Sequence, residues 1–102
     1  MIFQSYHLPL VLSGRKTMTR RLHSRPLREG RRYRLKRDWY HWLNHEVLIT
    51  RRFQQRLGDI SEEDAYNEGY CSIEEFQKAW IEIHGEWNPH LIVWVYEFKV
   101  IR

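Results

Sequence analysis

The segment SGRKTMTRRL, residues 13–22, places four cations and two threonines within ten positions. If residues 17–21 form a strand, Thr17, Thr19 and Arg21 share one face while Met18 and Arg20 take the other. Lys16 then stands at the mouth of a polar row, just after the flexible Gly14. Such a row offers donors to an anion, or to a carbonyl oxygen that gathers negative charge during a reaction. A basic edge strand is the alternative, because lysine and arginine keep sheet edges from pairing with other chains. The residue types alone leave both readings open.

A second stretch, KRDWYHWLNH, interleaves Trp39, Tyr40 and Trp42 with Lys36, Arg37 and His41. Stacking on an aromatic ring beside a neutralised phosphate is how single-stranded nucleic acid is held. Aromatic residues in a small sheet also build core, so one of the three is expected to face solvent. The histidines, His7, His23, His41, His45, His84 and His90, make no metal motif. Only His41 and His45 are spaced by four, and in a strand-and-turn context that spacing does not put them on one face. No metal is expected. Neither a GxGxxG nor a P-loop is present, so no cofactor is expected either.

These groups need elements to position them. IFQSYHL reads as a short extended run. In LPLVLSG, Pro9 suits the first turn of a short helix and Gly14 its end. After the strand from Lys16, Pro26 and Gly30 break HSRPLREG into a loop. RRYRLKRDWYHW alternates as a half-buried strand, Asn44 and His45 suggest a turn, and EVLITRRFQQRLGDI is a long β-branched strand. Ser61 opens one helix ahead of Glu62, Glu63 and Asp64, acids that favour its N-terminus. Ser72 and Glu75 have the capping-box spacing, Ile73, Phe76, Trp80 and Ile83 form an apolar stripe, and Gly85 closes that helix. LIVWVYEFKVIR is apolar enough for a central strand. The order is α+β around a curved sheet or small barrel.

The composition sets bounds. A chain of 102 residues, 42% hydrophobic and 15% aromatic, fits one domain spanning residues 1–102, with no repeat or linker to divide it. The net charge of +4 favours an anionic partner. Between residues 15 and 37 eleven cations face one acid, Glu29, whereas the region from Asp59 to Glu86 holds most of the carboxylates. Arginine outnumbers lysine, which suits phosphate recognition and also the composition of a thermophile. The single cysteine, Cys71, excludes an intrachain disulfide, and the N-terminal run lacks the marks of a signal peptide. A cytoplasmic protein without membrane contact is expected, either a monomer or a weak homodimer.

SGRKTMTRR resembles the signature of the ASCH domain family, in which a glycine, a lysine and a KTxT run followed by an arginine leave the first helix. The matching residues are Gly14, Lys16, Thr17, Thr19 and Arg21, with Arg20 where the family is often apolar. REGRRYRL resembles its entry to a strand, with Arg31 where an acid is common. NEGYCSIEEFQKAW resembles its second helical segment, and VWVYEFKVI its closing strand. The resemblance implies an α+β fold with a small PUA-like β-barrel of about five to six strands flanked by short helices. It implies a cleft that binds RNA or a modified nucleoside, and this is the function expected first. Some small bacterial members instead hydrolyse the acetyl amide of N4-acetylcytidine, and others are linked to RNA cleavage.

In the hydrolase branch the resemblance carries the roles of lysine, threonine and glutamate onto Lys16, Thr19 and Glu68. A gapless match puts Gly69, rather than Glu68, at the acid. Thr19 would attack or orient a water, Lys16 would act as base with a depressed pKa, and Glu68 would shuttle a proton or hold the substrate amine. The binding surface would comprise Gly14, Arg15, Lys16, Thr17, Arg20 and Arg21, joined by Arg34, Arg37, Trp39 and Trp42.

Overall fold

A computed structural model describes the chain except residues 4, 5, 23–25, 39 and 102. Trp39, one of the expected binding residues, lies outside the described residues. A short helix, α1 (Leu8–Ser13), has Pro9 in its first turn and ends at Gly14, whose φ of 83° is the left-handed conformation that favours glycine. The chain continues through β1 (Met18–Arg21), β2 (Arg32–Lys36) and the long β3 (Trp42–Arg56). Helices α2 (Glu62–Asn67) and α3 (Ile73–His84) precede the closing strand β4 (Ile92–Ile101). All pairings are antiparallel, in the order β1-β4-β3-β2, so the apolar last strand is central as its composition demands.

A β-bulge explains how one sheet serves two cores. On β3, Val47 and Ile49 are buried with Phe3, Leu8, Val11, Leu35, Tyr96 and Phe98 on one face. Ile49 pairs with Phe98 and Arg51 with Glu97, so Thr50 is the extra residue, and its hydroxyl donates to the Glu97 carbonyl at 3.1 Å. The insertion reverses the alternation, and Phe53 then packs on the opposite face. There Val93 and Val95 meet Met18, Leu57, Ile60, Ala65, Phe76 and Trp80. The first face is covered by α1 and the N-terminal residues, the second by α2 and α3.

Among the described residues the sheet has four strands and is not closed, where a barrel of five to six was expected. Strands β1 and β2 stand at opposite edges. The N-terminal run reaches across by a single parallel bridge, Ile2 to Lys36, while the Met1 carbonyl accepts from the Lys36 N–H at 2.8 Å. On the β1 side Arg21 donates to the Ile2 carbonyl at 2.6 Å.

The hairpin turn is also displaced from its expected place. Asn44 and His45 lie inside β3, and the reversal comes earlier, where the Arg37 N–H donates to the His41 carbonyl at 3.0 Å. Asp38 decides this, because its carboxylate accepts from the backbone N–H groups of Tyr40 at 2.8 Å and His41 at 3.0 Å. Both helix starts are as expected. The Ser61 hydroxyl accepts from the Asp64 N–H at 3.0 Å and that of Ser72 from the Glu75 N–H at 3.2 Å. Phe76 and Trp80 are buried, whereas Ile83 is 52% exposed at the end of the stripe.

Gly58, between β3 and α2, packs against the loop before β4. Its N–H donates to the Pro89 carbonyl at 2.9 Å, and a Cβ there would lie 2.7 Å from the Pro89 Cβ. Gly58→Ala is therefore expected to cost about 1–3 kcal/mol through overpacking. Urea denaturation measures this, and an unchanged midpoint would mean that the Pro89 loop yields freely. Among the described residues no helix is long and apolar enough to cross a membrane.

Candidate functional site

The site lies at the outer edge of β1, where the two layers meet. After Gly14 turns the chain, the Lys16 N–H donates to the Leu10 carbonyl at 3.0 Å and the Thr17 N–H to the Asn67 carbonyl at 2.9 Å. These bonds fasten the end of α2 beside the start of β1. Lys16 is directed inward and is only 2% exposed. Its Nζ donates to the Glu68 backbone carbonyl at 2.6 Å and to Glu68 Oε1 at 3.1 Å. Gly69, with φ of 106°, lets the chain reverse directly after that glutamate, where a Cβ would sit 3.2 Å from Leu10 Cδ1.

The second oxygen of the same carboxylate belongs to Arg20, whose NH1 donates to Glu68 Oε2 at 3.0 Å. The other arm of the guanidinium reaches Gln55 Oε1 at 2.8 Å and Asp64 Oδ2 at 3.1 Å. Arg21 takes the opposite face, above the Phe3 ring at 4.9 Å. Lys16, Arg20 and Arg21 are thus three cations beside two carboxylates, Glu68 and Asp64. Burial pushes Lys16 below its ordinary pKa; the attraction of Glu68 opposes this, and Arg21 and Arg20 add to the lowering. The excess of one positive charge makes the lysine proton the one most readily given up.

This cluster forms the polar end of a cavity of about 310 Å³, and Thr19 lines it together with Lys16, Arg20, Arg21 and Glu68. Aromatic rings make up most of the rest of the wall, with Ile2, Leu22 and Ile83 among them. His7 meets Tyr70 edge-on at 5.2 Å between ring centroids, Tyr70 meets Phe76 at 5.7 Å, Phe76 meets Trp80 at 6.0 Å, and Trp80 lies 4.0 Å from His84. A flat heterocycle suits such a wall, with its polar substituent turned to the lysine.

Lys16, Thr19, Glu68, Arg20 and Arg21 are brought together here. Other expected residues are used elsewhere. Gly14 ends α1 in the open. The Arg15 guanidinium lies over the Tyr66 ring and donates to the Tyr66 and Tyr70 carbonyls, so it clamps α2. Thr17 acts through its backbone. Arg34, Arg37 and Trp42 belong to the β2–β3 hairpin and do not line the cavity. Conversely, the sequence reading missed Gln55 and Asp64 as partners of Arg20, and Tyr70 and His84 as wall residues. Phe76 and Trp80 had their signal in the apolar stripe of α3, which reads as core and is also one side of the cavity.

His7 is nearly buried, and burial followed by the nearby Lys16 charge lowers its pKa from 6.5 to about 4. Between those values the folded protein binds fewer protons than the unfolded chain, so stability rises with pH and is lost as pH falls from 6.5 towards 4. His7→Phe is expected to flatten that part of the pH dependence. Urea midpoints from pH 4.5 to 7 test it, and equal slopes in both proteins would remove His7 as the cause.

No protein-family model and no curated protein matches this sequence. Solved structures do. The chain is similar to the crystal structure of an ASCH domain from Lactobacillus crispatus JV V101, with a TM-score of 0.80 and 19% identity over 96% of this chain and 74% of that one. It is also similar to a protein of the DUF984 family from Enterococcus faecalis V583, with a TM-score of 0.67 and 22% identity over 91% of this chain and 68% of that one. With its helices on either side of an antiparallel sheet, and its basic edge strand leading out of the first helix, the chain has the fold of an ASCH domain.

Proposed function

We propose that the protein is a hydrolase that cleaves the amide of a small acylated nucleoside of the N4-acetylcytidine type. The observation that carries this is the convergence of Lys16, Thr19 and Glu68 in one aromatic-walled cavity, with Lys16 biased towards its neutral form. In the reaction neutral Lys16 takes the proton of the Thr19 hydroxyl as its oxygen attacks the amide carbon. The developing oxyanion lies among the Arg21 guanidinium and the newly charged ammonium. The C–N bond then breaks, and the amine leaves with the proton from Lys16. A water, deprotonated by Lys16, hydrolyses the acyl ester and restores Thr19. Glu68 holds the Lys16 nitrogen in place throughout.

The test is chromatography of N4-acetylcytidine after incubation with the purified protein. Release of cytidine and acetate is expected. Intact substrate at high protein concentration would end the proposal.

One further observation favours RNA or nucleotide binding as a second reading. Trp42 is 51% exposed and Tyr40 88% exposed on the β2–β3 hairpin, and the Lys36 ammonium and Arg34 guanidinium lie 4.0 and 5.5 Å from the Trp42 ring. A strand stacked there would lose affinity steeply with salt. Fluorescence anisotropy of a labelled single-stranded RNA, with Arg34→Ala and Trp42→Ala alongside, decides it. Equal affinity in all three proteins would exclude the hairpin.

A further inference from the structure

We infer that Arg20 is a positioning residue of this site: it binds one oxygen of the Glu68 carboxylate, leaves the other to Lys16, and supplies the charge that offsets the glutamate. The inference rests on the hydrolase reading only for its rate measurement.

Arg20 stands next to Thr19 on β1. Its side chain is fully buried. A guanidinium needed only to brace β1 against α2 would be matched by one carboxylate. This one divides itself between two, Asp64 and Glu68, and adds Gln55 and a 3.2 Å approach to the Met18 sulfur. Its Nε is left buried with no partner among the described residues. The fork is thus arranged for what its two terminal nitrogens hold, at the expense of its own satisfaction.

The consequence falls on Lys16. The groups that face it are Glu68 from the end of α2, Arg20 and Arg21 from β1, and His7 from before α1; Tyr70 and Asp64 close the cluster. With Arg20 present, three cations face two carboxylates, and loss of the lysine proton leaves the cluster neutral. Without it, two cations face two carboxylates, and the same loss leaves an uncompensated negative charge in a buried place. Glu68 would also be free to give both oxygens to Lys16. Both effects hold the proton on the lysine.

The experiment is titration of the lysine side chains by NMR, observing the carbon next to each amine, with Lys16→Met to assign the Lys16 signal. In Arg20→Gln the Lys16 midpoint is expected to rise by about one unit. The acid limb of the rate profile should move with it, so that turnover below the midpoint falls about tenfold. An unmoved Lys16 midpoint in folded Arg20→Gln overturns the inference, because a purely bracing arginine would change only the melting temperature. If Arg20→Gln does not fold, Asp64→Asn takes its place. It gives the guanidinium more fully to Glu68, so the Lys16 midpoint should fall, and no movement again overturns the inference. Absence of amide hydrolysis in the unaltered protein would count against the proposed function, while the titration would still decide the role of Arg20.

Discussion

Lys16→Met is expected to lower amide hydrolysis by a factor on the order of 10²–10⁴, the usual contribution of a positioned base, while the protein stays folded. The two halves of this expectation have separate causes. Lys16 lines the cavity with Thr19, and burial holds its pKa below the ordinary lysine value. Methionine keeps the length and apolar stem of the side chain but offers no base. Folding survives because Lys16 is not the only partner of Glu68. Arg20 still holds Oε2 at 3.0 Å, so the carboxylate is not left as an isolated buried charge. Removing the ammonium also removes the cost of keeping it out of water. Steady-state assays and thermal melts on the same preparation measure both. Turnover that survives the substitution would remove Lys16 from the mechanism, and loss of the folded state would make it a structural residue.

The sequence made much of this site legible, for reasons that are local. Gly14 and Gly85 mark helix ends because both adopt a positive φ, and Ser61 and Ser72 mark starts because their hydroxyls accept from the third residue on. The period of two along MTRR separates Arg20 from Arg21, and the structure does send them to different partners. What a face meets is a different matter. The partners of Arg20 are 35, 44 and 48 residues away, and no local pattern marks Gln55, Asp64 or Glu68 as its neighbours. The bulge at Thr50 was hidden for a related reason, since an alternating pattern carries no sign of where one residue is skipped. The hairpin turn was misplaced because Asn44 and His45 are turn-prone types, whereas Asp38 makes the turn through three contacts, one of them with the His41 ring.

Glu68→Gln is expected to be the most damaging single change in the protein, costing about 3–5 kcal/mol of stability near neutral pH. The carboxylate stands between two cations, and its loss leaves Lys16 and Arg20 facing one another with only Asp64 to share. Glutamine keeps the shape and one acceptor, so the effect is that of charge and not of packing. The pH dependence follows from the same electrostatics. Lys16 already sits below its unfolded value of 10.5, and without Glu68 to attract its proton it must sit lower still. Between that lowered value and 10.5 the folded state binds fewer protons than the unfolded chain, so stability rises with pH across the window. The variant should therefore regain part of its loss as the pH is raised, because deprotonation relieves the repulsion. The double variant Lys16→Met with Glu68→Gln should regain it at every pH, since the repelling ammonium is gone. Urea denaturation at pH 6, 8 and 10 on both proteins separates charge from packing. An equal loss at every pH, undiminished in the double variant, would mean that Glu68 stabilises the end of α2 by its contacts alone, and that the charge balance assigned to the cluster is not what holds it together.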